Sequence, residues 1–289
     1  MSWRALHIYY FDQQDKILKD DLKLVMEKNK IKDFFFIRYW ENGPHIRLRL
    51  KDLDDIQLFS VKEDISNLIM KKKSKEKIDK NEYKKIAAEL AKREGMQLDS
   101  YNIEDNNTIK ECEYIPELKK YNGRDGVTIA EREFIHSSRI ALDVIQLNLK
   151  QSMKYIFGAL YAIDVCLALS SDKNKGFFEQ YVKYWAGFGK NSSESAVEKF
   201  RKRISGINLD EAVLLYIKRY YDEQKNYVFH KKIFQDLKKI AGEKDVLRFG
   251  FNFVHLFNNR IGIIPAEEVM IGIMALSIME KSHVKEVYN

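Results

Sequence analysis

The hexapeptide His45-Ile46-Arg47-Leu48-Arg49-Leu50 alternates polar and apolar residues without a break. A period of two sends successive side chains to opposite sides of a strand, so His45, Arg47 and Arg49 share one face and Ile46, Leu48 and Leu50 the other. Just before it stands Glu41-Asn42-Gly43-Pro44, in which Asn and Gly both tolerate positive φ. The aromatic and branched stretch 33–40 and the strand 45–51 are therefore the two arms of a hairpin.

Around this hairpin the chain reads as α+β: an N-terminal, mostly antiparallel sheet with helices, followed by a C-terminal helical half. Residues 3–11 form a first strand, and residues 15–29 a helix with Leu18, Leu22 and Val25 on one face. A helix over 55–72 leads into a Lys-rich run to Lys85. That run is read as a solvated amphipathic helix with Ile78, Ile86 and Leu90 facing inward, a nucleic-acid patch being the alternative. Residues 99–117 are extended segments that close the sheet. After Gly126 the character changes. Thr128-Ile129-Ala130-Glu131 has the pattern of a capping box, and most of the chain beyond it has helical periodicity, including the stripe Leu209, Ala212, Val213, Tyr216, Ile217 and Tyr220. The last helix opens at Pro265 with Glu267 and Glu268 in its first turn and ends near Lys281 and His283, the charge order that the helix dipole favours. The chain thus divides near residue 125 into 1–125 and 126–289, unless the two halves form one compact domain.

Composition narrows the function classes. Of 289 residues, 45% are hydrophobic and 32% charged, the balance of a folded protein, and the net charge of +7 is too modest to demand a polyanionic partner. Cys112 and Cys166 stand far apart, which excludes a disulfide scaffold and a thiolate zinc site and suits a reducing cytoplasm. The start, Met1-Ser2-Trp3-Arg4, lacks the layout of a signal peptide. The longest apolar block, 155–169, is short for a bilayer and contains Asp164, so it reads as a buried helix and no membrane span is expected. There is no glycine-rich phosphate loop, no His-x-x-x-His pair and no Gly-x-Ser-x-Gly elbow, and the six histidines are scattered, so neither cofactor nor metal is expected. His136-Ser137-Ser138 does not make a hydrolase, because adjacent residues on one helix do not face each other.

Three segments can carry chemistry. Residues 38–49 hold Arg38, His45, Arg47 and Arg49, and two guanidinium groups on one strand face make a fixed fork for carboxylates, the plain alternative being an exposed charged sheet face. Residues 114–123 join sheet to helix through Pro116 and Gly123, a loop of the kind that often carries function or is merely a connector. Residues 255–262 end one helix just before Pro265 starts another, and Phe251, Phe253, Val254 and Ile261 imply that His255 is at least partly buried.

Taken in order, these segments resemble the thiopeptide-type bacteriocin biosynthesis family, which includes the C-terminal domain of lanthipeptide dehydratases. The family's opening aromatic strand, Arg-Tyr and Pro-His-x-Arg-x-Arg are matched by residues 3–10, by Arg38-Tyr39 and by Pro44 to Arg49. Its Tyr-x-x-Glu-x-x-Arg-Tyr-Gly-Gly is matched by Tyr114, Glu117, Tyr121 and Gly123, and its Ala-Glu-x-x-Phe-x-x-Asp-Ser by Ala130, Glu131, Phe134 and Ser138. Its C-terminal His-Met-x-x-Asn-Arg is matched by His255, Asn259 and Arg260. Lys120 replaces the family's arginine, Asn122 a glycine and Ser137 an aspartate; lysine keeps the charge of arginine but loses the bidentate fork.

The resemblance implies a cytoplasmic enzyme that matures a ribosomally made peptide. Its first implication is glutamate elimination from glutamylated Ser or Thr, in which Arg47, Arg49 and Lys120 supply cations, Glu117 orients them and His255 transfers the proton. Arg38, His45, Tyr114, Tyr121 and Arg260 then contact substrate. The implied partners are a precursor peptide with its leader and a large glutamylating dehydratase subunit, which is the one that uses tRNA; whether two copies pair as a homodimer is left open. The second implication is a pyridine synthase that joins two dehydroalanines in a formal [4+2] cycloaddition with loss of the leader. The third is a non-catalytic, peptide-binding subunit of a maturation complex, with an exposed strand edge as its physical basis.

Overall fold

The computed structural model describes residues 2–94, 102–169, 174–186, 198, 202 and 225–281. The stripe expected over 209–220 and His283 lie outside the described residues. By its own contacts the chain forms two units: Met1–Pro116 with Ile135–Asn148, and Glu117–Phe134 with Leu149–Asn289.

The first unit is built on a four-stranded antiparallel sheet of order β2-β3-β1-β4, with β1 Trp3–Tyr9, β2 Phe34–Tyr39, β3 His45–Lys51 and β4 Thr108–Cys112. In β3 the alternation works as expected. Leu48 lies opposite Leu6 and Phe36, and Ile46 opposite Ile8, so these side chains form one apolar face, each at most 2% exposed. The hairpin turn also follows the sequence, with φ of 57° at Asn42 and 110° at Gly43. A φ of 110° is one that glycine alone adopts readily, and a Cβ at position 43 would in addition press on the Phe11 ring at 3.2 Å.

Elsewhere in this unit the packing corrects the periodic reading. The helix expected over 15–29 is broken into α1 (Asp15–Ile17), a π turn (Leu18–Leu22) with a non-helical Lys19, and α2 (Lys23–Lys28). The break leaves Ile17, Leu18 and Leu22 all buried. Helix α3 (Asp55–Lys71) starts at a capping box: Asp54 Oδ1 accepts from the Gln57 backbone N–H at 2.7 Å, and Gln57 Oε1 accepts from the Asp54 N–H at 3.3 Å. The Lys-rich segment does not continue it but forms a separate helix, α4 (Lys80–Glu94). There Ala87 and Ala91 are buried while Ile86 is 50% exposed, the reverse of the orientation expected from Ile86. Small residues turned inward let a helix lie close, and the remaining positions go to water whatever their polarity. Of the extended segments expected over 99–117, the described residues form one edge strand, β4, paired to β1.

Helix α5 (Gly123–Gln146) contributes its first half to the second unit and its second half to the first. It starts five residues before Thr128, so the expected capping box does not form. Thr128 lies in the second turn, where its hydroxyl donates to the Arg124 carbonyl at 2.9 Å, and Asp125 supplies the favourable first-turn charge.

The second unit is helical. Helix α6 (Gln151–Leu169) packs against α8 (Lys225–Leu237), α9 (Glu243–Arg260) and α10 (Glu268–Lys281), while α7 (Asn174–Ala186) packs on α10. Helix α6 is longer than the apolar block alone indicates: with its 19 residues it is long and apolar enough to cross a membrane. Within this fold every residue from Tyr155 to Ala168 is buried, including Asp164, which marks it as a core helix. At Gly158 an added Cβ would sit 2.5 Å from Asn258 Oδ1 of α9 and 3.1 Å from Ile271 Cδ1 of α10. Gly158→Ala is therefore expected to lower stability by about 2–3 kcal/mol, the scale of an overpacked core, as read from urea unfolding midpoints.

Candidate active site

The polar face of β3 is the first cluster. Antiparallel pairing sets His45 between Tyr9 and Tyr39, Arg47 between His7 and Ile37, and Arg49 between Ala5 and Phe35. The hairpin then closes on its own strand. His45 Nδ1 donates to the Gly43 carbonyl at 2.9 Å, leaving Nε2 to accept from Arg47 Nε at 3.1 Å. Arg47 also donates to Glu41 Oε2 at 2.6 Å, and its guanidinium carbon stands 3.5 Å above the Tyr39 ring. Glu41 is a carboxylate that sequence reasoning missed; its signal is an acidic residue inside the turn that folds back on the strand.

This face is not an exposed charged surface. His45 is fully buried and Arg49 only 7% exposed. Arg49 packs with its guanidinium carbon 5.7 Å from the Tyr114 ring centre, yet its Nε and Nη1 have no hydrogen-bond partner. Burial first, then the Arg47 charge, pulls its pKa down to about 10. His7, also missed in the sequence, lies with its ring 4.8 Å from that of His45, and its buried Nε2 likewise has no partner. Burial drives the pKa of His7 down to about 2 and that of His45 to about 3, with Arg47 and Arg49 adding to the effect, so both imidazoles are neutral. Burial likewise pushes Tyr9 up to about 12. The face thus holds a buried cation among neutral rings with unfilled donors, an arrangement that calls for an anion.

Arg38 does not join this cluster. It lies opposite Ile46, on the other face of the sheet, and is paired with Asp15. Burial lowers its pKa while Asp15 opposes the effect.

The motif over 114–123 is divided between the units. Tyr114 belongs to the first and packs edge-on against Trp3 and Phe35. Glu117, Lys120 and Tyr121 belong to the second. Glu117 is 61% exposed in its side chain and accepts from Lys120 at 3.3 Å, an i,i+3 ion pair on the surface. Tyr121 is buried and stacks on Phe249 and Phe253. Arg260 is completely buried, with its guanidinium over the Phe134 ring, and burial lowers its pKa against the opposing charge of Glu133. Glu133 also accepts from the Tyr161 hydroxyl, which lies 3.0 Å from His230 Nε2. Arg260 is thus part of a buried polar group inside the helical unit.

His255, one turn before the end of α9, is the partly buried member of a second polar group. Its Nδ1 lies 2.9 Å from Glu268 Oε1, and Trp185 packs on its ring at 4.7 Å between centres. Glu268 has 0% exposure; its Oε2 accepts from Asn258 Nδ2 at 2.7 Å and from the Tyr181 hydroxyl. Burial, then Glu268, raises the Tyr181 pKa well above the usual tyrosine range, so the phenol remains a donor. In the sequence Glu268 registers only as a first-turn acid. The further signal is its place, the second of two adjacent acids and directly before Val269-Met270-Ile271.

The two depressed histidines fix a pH dependence. The unfolded chain takes up protons near pH 6.5, while the folded chain refuses them until about 3 at His45 and about 2 at His7. More protons bound in the unfolded state means that stability rises with pH, so it is complete above about 6.5 and falls as pH drops toward 3. Urea midpoints measured from about pH 8 to about pH 4 are expected to decline below about 6.5, and the decline should be shallower in His45→Gln.

The sequence matches the family described as lantibiotic biosynthesis dehydratase C-term over residues 3–277. No curated protein matches it. The fold is similar to that of the pyridine synthase TbtD from thiomuracin biosynthesis, with TM-score 0.77 and 12% identity over 98% of this chain and 100% of that one. It is similar to the tRNA dependent lantibiotic dehydratase MibB from Microbispora sp. 107891, with TM-score 0.63 and 14% identity over 98% of this chain and 28% of that one. It is also similar to TsrL, with TM-score 0.60 and 10% identity over 99% and 97% of the two chains. These likenesses are of fold. With the family matched over nearly its whole length, the chain belongs to the lantibiotic biosynthesis dehydratase C-terminal family.

Proposed function

We propose that this chain eliminates glutamate from glutamylated Ser or Thr residues of a ribosomally made precursor peptide, leaving dehydroalanine or dehydrobutyrine. The observation that carries the reading is Arg49: a guanidinium 7% exposed, with two nitrogens lacking partners, on a face whose histidines are neutral. A buried cation of this kind is stabilised by an incoming carboxylate, and glutamate brings one. Arg47 is held in place by Glu41, His45 and Tyr39, so it presents its charge with little freedom to lose.

The reaction needs a base and a stabilised departing charge. His255 takes the Cα proton, the C–H electrons become the new C=C bond, and the Cβ–O bond breaks as glutamate leaves as its carboxylate. The arginines hold anionic charge on the glutamyl group, and the Glu117–Lys120 pair supplies a further cation. This chain spans 28% of the tRNA dependent dehydratase chain. Under this reading its partners are a glutamylating dehydratase subunit and a precursor peptide with a leader.

A second reading is pyridine synthesis by formal [4+2] cycloaddition of two dehydroalanines with loss of the leader. It is favoured by Lys120 in place of the family's arginine and by the end-to-end likeness in fold to the pyridine synthase TbtD. One pair of incubations separates the two. A glutamylated precursor is expected to release free glutamate and lose the mass of the ester, whereas a leader released from a dehydroalanine precursor, with a new aromatic chromophore, would establish the cyclase instead. For elimination, His255→Ala is expected to slow glutamate release about 10²-fold or more. Arg49→Ala should raise KM and lower kcat, and Arg49→Lys should fall between it and the parent, because lysine keeps charge without the planar donor set.

A further inference from the structure

A histidine can exchange a proton at either ring nitrogen, and the surroundings of His255 distinguish the two. Nδ1 is 2.9 Å from Glu268 Oε1, and Asn258 Nδ2 and the Tyr181 hydroxyl converge on Oε2 of the same carboxylate. An ionised carboxylate only accepts, so the ring nitrogen facing it must carry the hydrogen. Glu268 is fully buried at the start of α10, directly after the single 3-10 turn Pro265–Glu267, and three donors on three other residues converge on its carboxylate. Asn258 can reach it because Gly158 leaves room: the Asn258 Oδ1 lies where a Cβ at 158 would come within 2.5 Å. Trp185 covers a face of the imidazole, which restrains ring rotation.

We propose that Glu268 is the positioning residue for His255: it fixes the tautomer with Nδ1 protonated, directs the lone pair to Nε2, and stabilises the imidazolium formed when Nε2 takes a proton. Nε2 is then the reacting atom. The assignment rests on His255 being the proton-transfer residue of the proposed reaction. In that step Nε2 gains the substrate proton while Nδ1 keeps its own, the carboxylate remains ionised, and the positive charge on the ring faces a buried anion.

The test uses the full chain with His 15N labelling and a glutamylated precursor. At about pH 8, the wild-type His255 resonances are expected to report Nδ1 protonated and Nε2 bare. Glu268→Gln keeps the shape but turns an NH2 group toward donors, so the folded variant should show mixed tautomers and a kcat for glutamate release lower by about 10²-fold, with KM within about twofold. A wild-type His255 protonated at Nε2 overturns the proposal, as does a folded Glu268→Gln variant with unchanged kcat. If the variant does not fold, the wild-type tautomer decides alone. If the wild type releases no glutamate, the elimination reading fails, while the tautomer still decides the role of Glu268.

Discussion

Removing a guanidinium from water is unfavourable by several kcal/mol unless other groups replace its hydration. Arg49 undergoes that transfer with two nitrogens unpartnered, and the first unit is organised around holding it there. The pleat of β3 sends Leu48 and Leu50 into the apolar core, which pins the register, and the same pleat forces Arg47 and Arg49 to the other side. The apolar face therefore anchors the polar one. The neighbours then differentiate two arginines that look alike in sequence. Arg47 is paired with Glu41 and braced by His45 and Tyr39, while Arg49 packs among rings. Neutral histidines on both strands avoid adding positive charge and lower the cost of the cluster.

The helical unit handles charge in the opposite way. There carboxylates are buried too, and two of them are met by hydroxyl, amide or ring donors. Glu268 collects His255, Asn258 and Tyr181, and Glu133 is met by Tyr161 near the buried Arg260. Such networks require close helix packing, and the long buried run of α6, with Gly158 at its crossing, provides it. The two clusters are thus differently built: a buried carboxylate bonded to one imidazole in the helical unit, and a sheet face with an unmatched cation in the other.

Residues whose placement is set by local spacing are legible in the sequence. The shared face of His45, Arg47 and Arg49, the Asn42-Gly43 turn, the buried run around Asp164 and the partial burial of His255 all come from periodicity or neighbours within a few positions. Local rules err where packing outweighs them. Ile86 is apolar yet points outward because Ala87 and Ala91 take the contact side, and Thr128 has the pattern of a cap but lies inside a helix that begins earlier. Arg38 stands one residue from the Tyr39 that packs on Arg47, yet the pleat puts it on the opposite face.

By itself the sequence determined the α+β class, the hairpin, the cationic side of β3 and the family, because strand and helix periods and ordered motifs are written in consecutive residues. Only the tertiary structure decided which charges are matched. His7 meets Arg47 through the pairing of β1 with β3, distant segments of the chain, and Glu268 reaches His255 across the turn between two helices. Partnership and burial depend on which distant segments share a surface, and that is a property of the packed chain rather than of any short stretch within it.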